Sequence, residues 1–137
     1  MIRLLPLALL ASLASCGDRE GRAAAATVET AQPAAVSVAT IAPTELAALL
    51  EAGDTKLVDV RTPEEFAEGH IEGAVNLPLD TFDPAALDGD QVVLYCHSGR
   101  RSAEAAAKLA EHRGEEVVHM DGGITAWTDA GLPVVTP

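Results

Sequence analysis

The stretch QVVLYCHSGRRSAEAAAKLAEH, residues 91–112, carries the clearest structural signal in the chain. Its first six residues, 91–96, form a strongly apolar run, which is typical of a buried strand at the centre of a parallel sheet. Residues 102–112 are mostly strong helix formers, and Gly114 favours termination of the helix soon afterwards. A short polar loop, residues 97–101, joins the two. The stretch therefore predicts a strand, a tight loop and a helix, which is one unit of an α/β fold.

The same alternation of strand and helix patterns continues on both sides of this unit. Further strands are predicted at 39–41, 56–60, 74–78 and 116–120, and further helices at 43–52, 63–68 and 124–130. Such alternation predicts an α/β fold with a central parallel sheet of about five strands and helices on both faces. Ligand sites of these folds form at the carboxyl ends of the strands, which directs attention to the loop after Cys96.

Composition and charge exclude several classes of function. The 137 residues suffice for one compact domain and a tail. Lys and Arg number 9 against 21 Asp and Glu, and the net charge of −12 repels nucleic acid and anionic lipid headgroups. Two cysteines are too few for a disulfide framework or a cysteine zinc site, and no two of the four histidines have a tight ligand spacing. We expect no metal, no other cofactor and no nucleic-acid partner.

The N-terminus has the dimensions of a secretory signal. Arg3 precedes an apolar run of eleven residues, which is shorter than the roughly 20 that a spanning helix needs. Leu13-Ala14-Ser15-Cys16 resembles the lipobox of bacterial lipoproteins, in which the cysteine receives lipid and becomes the new N-terminus. The alternative is an ordinary secretory signal with an incidental cysteine.

The lipobox resemblance implies a division of the chain into three parts. Residues 1–15 would be the signal peptide, 16–38 the lipid-modified Cys16 with a flexible Ala-rich tether, and 39–137 the domain. The protein would be held in the bacterial cell envelope, lipid-anchored to a membrane and facing the periplasm. Only Cys96 would then keep a free thiol, so it could form no internal disulfide in that oxidising compartment.

The loop after Cys96 combines several features that activate a thiol. Gly99 permits the positive φ of a tight loop, whose backbone N–H groups can converge on an anion. A helix N-terminus and the side chains of Arg100 and Arg101, with His97 as a further candidate, add positive charge. Such surroundings lower the pKa of a thiol from about 8.5, so a thiolate would exist at neutral pH. The alternative is a small buried core cysteine.

Three separated motifs resemble the rhodanese family of sulfurtransferases. CHSGRRS (96–102) resembles the active-site loop of that family. DVRTPEEF (59–66) and GHIEGAVNLP (69–78) resemble its first signature, and MDGGITAW (120–127) resembles its C-terminal signature. The resemblance implies a rhodanese-like α/β fold and a single-domain sulfurtransferase of the thiosulfate type.

The resemblance also implies a mechanism with two half-reactions. The Cys96 thiolate would take the outer sulfur of a small anionic donor such as thiosulfate and pass it from a persulfide to cyanide or a thiol. The loop amides would hold the outer sulfur, while Arg101, assisted by Arg100, would orient the donor. The residues expected to bind substrate are His97, Ser98, Gly99, Arg100, Arg101 and Ser102.

Loop length separates this chain from related enzymes. Phosphatases and arsenate reductases of this fold have five residues between cysteine and arginine, whereas four lie between Cys96 and Arg101 and position 102 is Ser. The two arginines also differ from the uncharged loop of the mercaptopyruvate branch. Three other functions stay open: a persulfide carrier or binding module with little thiosulfate turnover, a silent scaffold, and a phosphatase whose Arg101 reaches further than the count suggests.

Residues outside the loop are interpreted mainly as scaffold. Asp59 is expected to support loop amides through hydrogen bonds, with a position facing the site as the alternative. Arg61 and Glu65 are four residues apart and are expected to pair. The remaining expectations are a structural His70, a buried Trp127, a turn and helix cap at Asp121-Gly122-Gly123 that could also line the rim, and a His97 that either tunes the thiolate or faces solvent.

Overall fold

The structure, a computed structural model, describes residues 36–137. The expected signal peptide 1–15, the expected lipidation at Cys16 and most of the expected tether lie outside the described residues. The first strand begins at Val38, one residue earlier than the predicted strand. Across residues 36–137, no helix has the length and apolar character that crossing a membrane requires.

Every predicted helix and strand is present. The strands are β1 (Val38–Ile41), β2 (Lys56–Asp59), β3 (Val75–Asn76), β4 (Val92–Tyr95) and β5 (Val117–Met120). The helices are α1 (Pro43–Ala52), α2 (Pro63–Glu68), α3 (Arg100–Arg113) and α4 (Gly123–Asp129). Two short 3-10 turns that the sequence patterns did not predict, Leu79–Thr81 and Pro84–Leu87, connect β3 to β4.

The start of α3 differs from the prediction. The helix begins at Arg100 and not at Ser102, because Gly99 adopts the left-handed conformation, with φ of 97°, and serves as the N-cap residue. Both arginines of the loop therefore belong to the first helical turn. Positive side chains at the N-terminus of a helix interact unfavourably with the helix dipole. Helix stability therefore does not explain why Arg100 and Arg101 occupy this turn.

The five strands form one parallel sheet in the order β1-β5-β4-β2-β3, which confirms the predicted α/β fold and the central position of β4. Alternate residues of β4 face opposite sides of the sheet. Leu94 and Cys96 belong to the layer beneath α3, whereas Val93 and Tyr95 belong to the layer shared with α1 and α4. Helices thus cover both faces, as predicted.

This topology brings three loop starts together at one edge. Because the strands are parallel, the carboxyl ends of β2, β4 and β5 lie side by side. Asp59 is the last residue of β2, Cys96 follows β4 directly, and Asp121 follows β5 directly. The predicted site therefore lies where parallel sheets ordinarily bind their ligands.

Candidate active site at the carboxyl end of the central strand

Cys96 is a free cysteine with 1% of its surface exposed. Its Sγ accepts a hydrogen bond of 3.1 Å from the backbone N–H of Gly99. Burial raises the pKa of the thiol, but the backbone amides of Ser102, Ser98 and Gly99 and the nearby Ser102 hydroxyl outweigh it, so the pKa is lowered. The loop therefore favours a thiolate. Hydrogen bonds, more than the arginine charges that the sequence emphasised, are the main cause.

The backbone of Gly99 makes this arrangement possible. Its φ of 97° confirms the positive φ expected from the sequence. A Cβ there would also lie 3.2 Å from the backbone nitrogen of Gly122, in the turn after β5. The loop thus needs glycine at this position both for its turn and for its close packing against a neighbouring loop.

The N-terminus of α4 clamps the first two residues of the loop. The backbone N–H of Ile124 donates to the Cys96 carbonyl at 2.8 Å. Thr125 donates twice to the His97 carbonyl, from its backbone N–H at 3.2 Å and from Oγ1 at 3.0 Å. A Cβ on Gly123 would lie 2.5 Å from the Cys96 and His97 carbonyl oxygens. The DGG motif is therefore a contact surface for the Cys96 loop as well as a turn.

Arg101 is held by an acidic residue that the sequence assigned elsewhere. Its Nη1 and Nη2 donate to the two carboxylate oxygens of Glu65 at 2.7 and 2.8 Å. Glu65 also closes a capping box at the start of α2, accepting from the backbone N–H of Thr62 at 3.1 Å. The hydrogen bond from Arg101 is the main reason that the pKa of Glu65 falls to about 2. The expected Arg61–Glu65 pair is therefore wrong.

Arg61 instead forms a buried ion pair with Asp59. Its Nη2 lies 2.6 Å from Asp59 Oδ2, and the two side chains are 5% and 0% exposed. The Asp59 carboxylate also accepts from the backbone N–H of Arg61 at 2.9 Å, which is the kind of support to a loop amide that the sequence predicted. A second hydrogen bond from Nη2 to the Gly69 carbonyl, at 2.7 Å, ties this pair to the end of α2. Both residues are thus scaffold beneath the site.

A buried histidine that the sequence did not single out contacts the loop through Ser102. Ser102 is fully buried, and its Oγ donates to the Gly99 carbonyl at 3.0 Å. His119, on β5, is 6% exposed, and its Nδ1 lies 3.0 Å from the same Oγ. In the sequence, His119 stands out only as a polar residue in a mostly apolar strand. That pattern does not show that its partner is Ser102, 17 residues earlier.

The other expected scaffold residues lie where predicted. His70 stacks on Phe66 and its Nδ1 contacts the Phe66 carbonyl at 3.0 Å. Trp127 is 4% exposed and donates from Nε1 to the Pro133 carbonyl at 2.9 Å. The remaining loop side chains, His97, Ser98 and Arg100, are exposed around the buried sulfur. Among residues 36–137, no group of three or more His, Cys, Asp or Glu side chains could hold a metal ion.

Comparisons with known proteins identify relatives of this chain. A sulfurtransferase from Allochromatium vinosum is 42% identical over 93 residues, which cover 65% of this chain and 86% of that protein. An uncharacterized protein from Synechocystis is 43% identical over 99 residues, and the match covers 70% of this chain but only 55% of that relative's length.

A solved structure has the same fold. The crystal structure of a thiosulfate sulfurtransferase from Pseudomonas aeruginosa superimposes with a TM-score of 0.64 at 33% identity, over 77% of this chain and 20% of that one. A sequence profile of the rhodanese-like domain matches residues 42–130, which include both the Cys96 loop and the Gly122-Gly123 turn. Since this match spans more than half of the sequence, the chain belongs to the rhodanese-like domain family.

Proposed function

We propose that the protein is a sulfurtransferase of the thiosulfate type, with Cys96 as the sulfur carrier. The observation that carries the proposal is the Cys96 sulfur, buried beneath an exposed polar loop and hydrogen-bonded by the Gly99 amide at 3.1 Å. The backbone amides of Ser98 and Ser102 also lower the pKa of the Cys96 thiol. A site built to hold an anionic sulfur suits a reaction in which sulfur is nucleophile, leaving group and cargo in turn.

The two half-reactions balance without any other reagent. In the first, the Cys96 thiolate attacks the outer sulfur of thiosulfate, the sulfur–sulfur bond of the donor breaks, and its electron pair leaves with sulfite. In the second, cyanide or a thiolate attacks the outer sulfur of the persulfide and regenerates the Cys96 thiolate. The outer sulfur projects about 2 Å beyond the nearly buried Sγ. The outer sulfur of the persulfide is therefore easier for an acceptor to reach than Sγ.

Donor binding involves the two arginines unequally. Arg100 is exposed and forms no ion pair with other residues of the 36–137 segment, so it offers the first charge to an incoming anion. Two of the five N–H groups of Arg101 already donate to the Glu65 carboxylate, which also offsets its positive charge. The Glu65 pair therefore weakens the attraction of Arg101 for an anionic donor.

Release of sulfite from thiosulfate, with cyanide as acceptor, tests the proposal. We expect the full chain to release sulfite, Cys96→Ser to release none, and Cys16→Ser to release it at the wild-type rate in the same detergent solution. Equal release by wild type and Cys96→Ser would overturn the role of Cys96. No release by wild type would exclude thiosulfate as donor.

A persulfide carrier with little thiosulfate turnover is the second candidate. The observation that favours it is the Arg101–Glu65 pair, which leaves less positive charge for a dianionic donor. A carrier would gain one sulfur atom on Cys96, seen by intact mass, more readily from another sulfane-sulfur donor than from thiosulfate, and would release it slowly to cyanide. A thiosulfate sulfurtransferase would gain the sulfur readily from thiosulfate and turn over with cyanide.

We also propose that the chain is a lipoprotein anchored through Cys16 and facing the periplasm. Support comes from the LASC sequence at 13–16 after a short apolar run. Growth of an expressing bacterium with labelled palmitate should label the full chain and its Cys96→Ser variant equally, and leave Cys16→Ser unlabelled. Absence of label from the wild-type chain would leave an ordinary secretory signal as the explanation.

A further inference from the structure

A buried histidine and a buried serine lie in contact just behind the reactive sulfur. His119 Nδ1 is 3.0 Å from Ser102 Oγ, and Oγ is 3.0 Å from the Gly99 carbonyl. Ser102 belongs to the first turns of α3, and His119 belongs to β5, which neighbours the strand that ends at Cys96. The two residues are 0% and 6% exposed, so the contact is shielded from solvent.

The number of hydrogens that Ser102 and His119 carry determines which of the two donates in this contact. A serine hydroxyl carries one hydrogen, and a backbone carbonyl only accepts. When Ser102 donates to the Gly99 carbonyl, its contact with His119 is a hydrogen bond only if Nδ1 carries a hydrogen and donates it. The same requirement holds when Ser102 donates to the Cys96 sulfur instead.

The surroundings of His119 keep its ring neutral. Burial lowers its pKa from the ordinary value of 6.5, and the negative charge of Asp121 opposes this only in part. A neutral imidazole holds a single ring hydrogen. If the Ser102 hydroxyl donates to Gly99 or to Cys96, a hydrogen bond in the contact with His119 requires this hydrogen to lie on Nδ1.

We propose that His119 is a positioning residue for the reaction: its Nδ1–H donates to Ser102 Oγ and thereby leaves the single hydroxyl hydrogen of Ser102 available to the Cys96 sulfur. When Cys96 is a thiolate, the hydroxyl turns towards the sulfur. When the sulfur is engaged in a persulfide, the hydroxyl returns to the Gly99 carbonyl. The Gly99 carbonyl keeps a hydrogen-bond donor when the hydroxyl turns towards the sulfur, because the backbone N–H of Ala103 also donates to it at 3.0 Å.

This role rests on the proposed use of Cys96 as nucleophile, but its test needs no sulfur donor. The alkylation rate of Cys96 by iodoacetamide, followed on the Cys96-containing peptide of the full chain, gives the pH at which the thiolate forms. His119→Leu should raise that midpoint by about one pH unit, because the hydroxyl is then no longer directed at the sulfur. His119→Asn, whose amide N–H can replace Nδ1–H, should stay close to wild type.

A double variant separates positioning from a direct electrostatic effect. If His119 acts through Ser102, then His119→Leu should produce no further shift once Ser102 is alanine. An undiminished shift in that background would overturn the proposal. So would a wild-type midpoint in His119→Leu, or a shift in His119→Asn as large as that in His119→Leu.

The ring hydrogen can also be observed without any substitution. Long-range proton–nitrogen NMR correlations of the labelled full chain distinguish the two neutral tautomers of His119. We expect the Nδ1–H form at neutral pH. The Nε2–H form would overturn the proposal even if the chain proved to be an active sulfurtransferase. A confirmed tautomer in a chain inactive towards thiosulfate would instead leave this role standing and reject only the donor.

Discussion

Arg101 and Glu65 meet in a two-point ion pair, with Nη1 2.7 Å from Oε2 and Nη2 2.8 Å from Oε1. The pair joins the start of α3 to α2, at the same edge of the sheet as the Cys96 sulfur. It occupies two of the five guanidinium N–H donors of Arg101. Under the proposed function, Glu65 competes with the anionic donor for Arg101, so the positive charge offered to the donor depends on how easily this pair opens.

Removing the Glu65 charge should improve binding of thiosulfate. Glu65→Gln keeps an oxygen for the Thr62 capping bond but weakens the hold on Arg101. A partly exposed pair is worth up to about 1 kcal/mol, so we expect KM for thiosulfate to fall by up to about fivefold. Glu64→Gln, an exposed neighbour in the same helix, is the matched control for net charge. Equal changes in KM for both variants would attribute the effect to overall charge.

The same pair should give a defined acid dependence of stability. The pKa of Glu65 falls from 4.5 to about 2 in the folded chain. The stabilisation of the folded chain by ionised Glu65 is therefore complete above pH 4.5. Below that pH the unfolded chain takes up the proton first, so the stabilisation declines, and it is lost as the pH falls through about 2. The free energy of unfolding of wild type minus that of Glu65→Gln should shrink across this window. A difference that does not change with pH would contradict the shift.

Gly123→Ala should damage both stability and catalysis. Its Cβ would lie 2.5 Å from the carbonyl oxygens of Cys96 and His97, and its φ is +60°. Gly131→Ala is the matched control, because that residue has a φ of +76° but nothing within 4 Å of its Cβ. The control should cost about 1–2 kcal/mol in urea unfolding. Gly123→Ala should cost more and reduce sulfite release by about 100-fold, since the loop must move. Similar losses in both variants would show that only φ matters.

Local patterns predicted the sheet, the central place of β4 and the position of Cys96 at its end, because each depends on hydrophobic periodicity and on the parallel topology. The partner of Glu65 could not be found this way. Spacing by four residues implies a contact only inside a helix, and Arg61 lies before Thr62, the N-cap residue of α2. Arg61 therefore pairs with Asp59, and Glu65 pairs with Arg101, which lies 36 residues away in the sequence.

The contact of His119 with Ser102 was hidden for a similar reason. A strand sequence shows which residues share a face but not which helix residue lies over them. Tertiary packing, and not local propensity, determined both results.

Asp59→Asn should be the most destabilising of the charge-removing substitutions considered. It would leave the charge of Arg61, whose side chain is 5% exposed, facing a neutral amide and the Gly69 carbonyl in place of a carboxylate. Loss of one partner of a buried pair costs about 3–5 kcal/mol. Asp90→Asn is the control, because Asp90 and Lys56 pair with 42% and 37% of their side chains exposed, and it should cost at most about 1 kcal/mol in urea unfolding. Equal and small losses in the free energy of unfolding for the two variants would mean that water reaches Arg61. The Asp59–Arg61 pair would then not be a rigid support for the loops around Cys96.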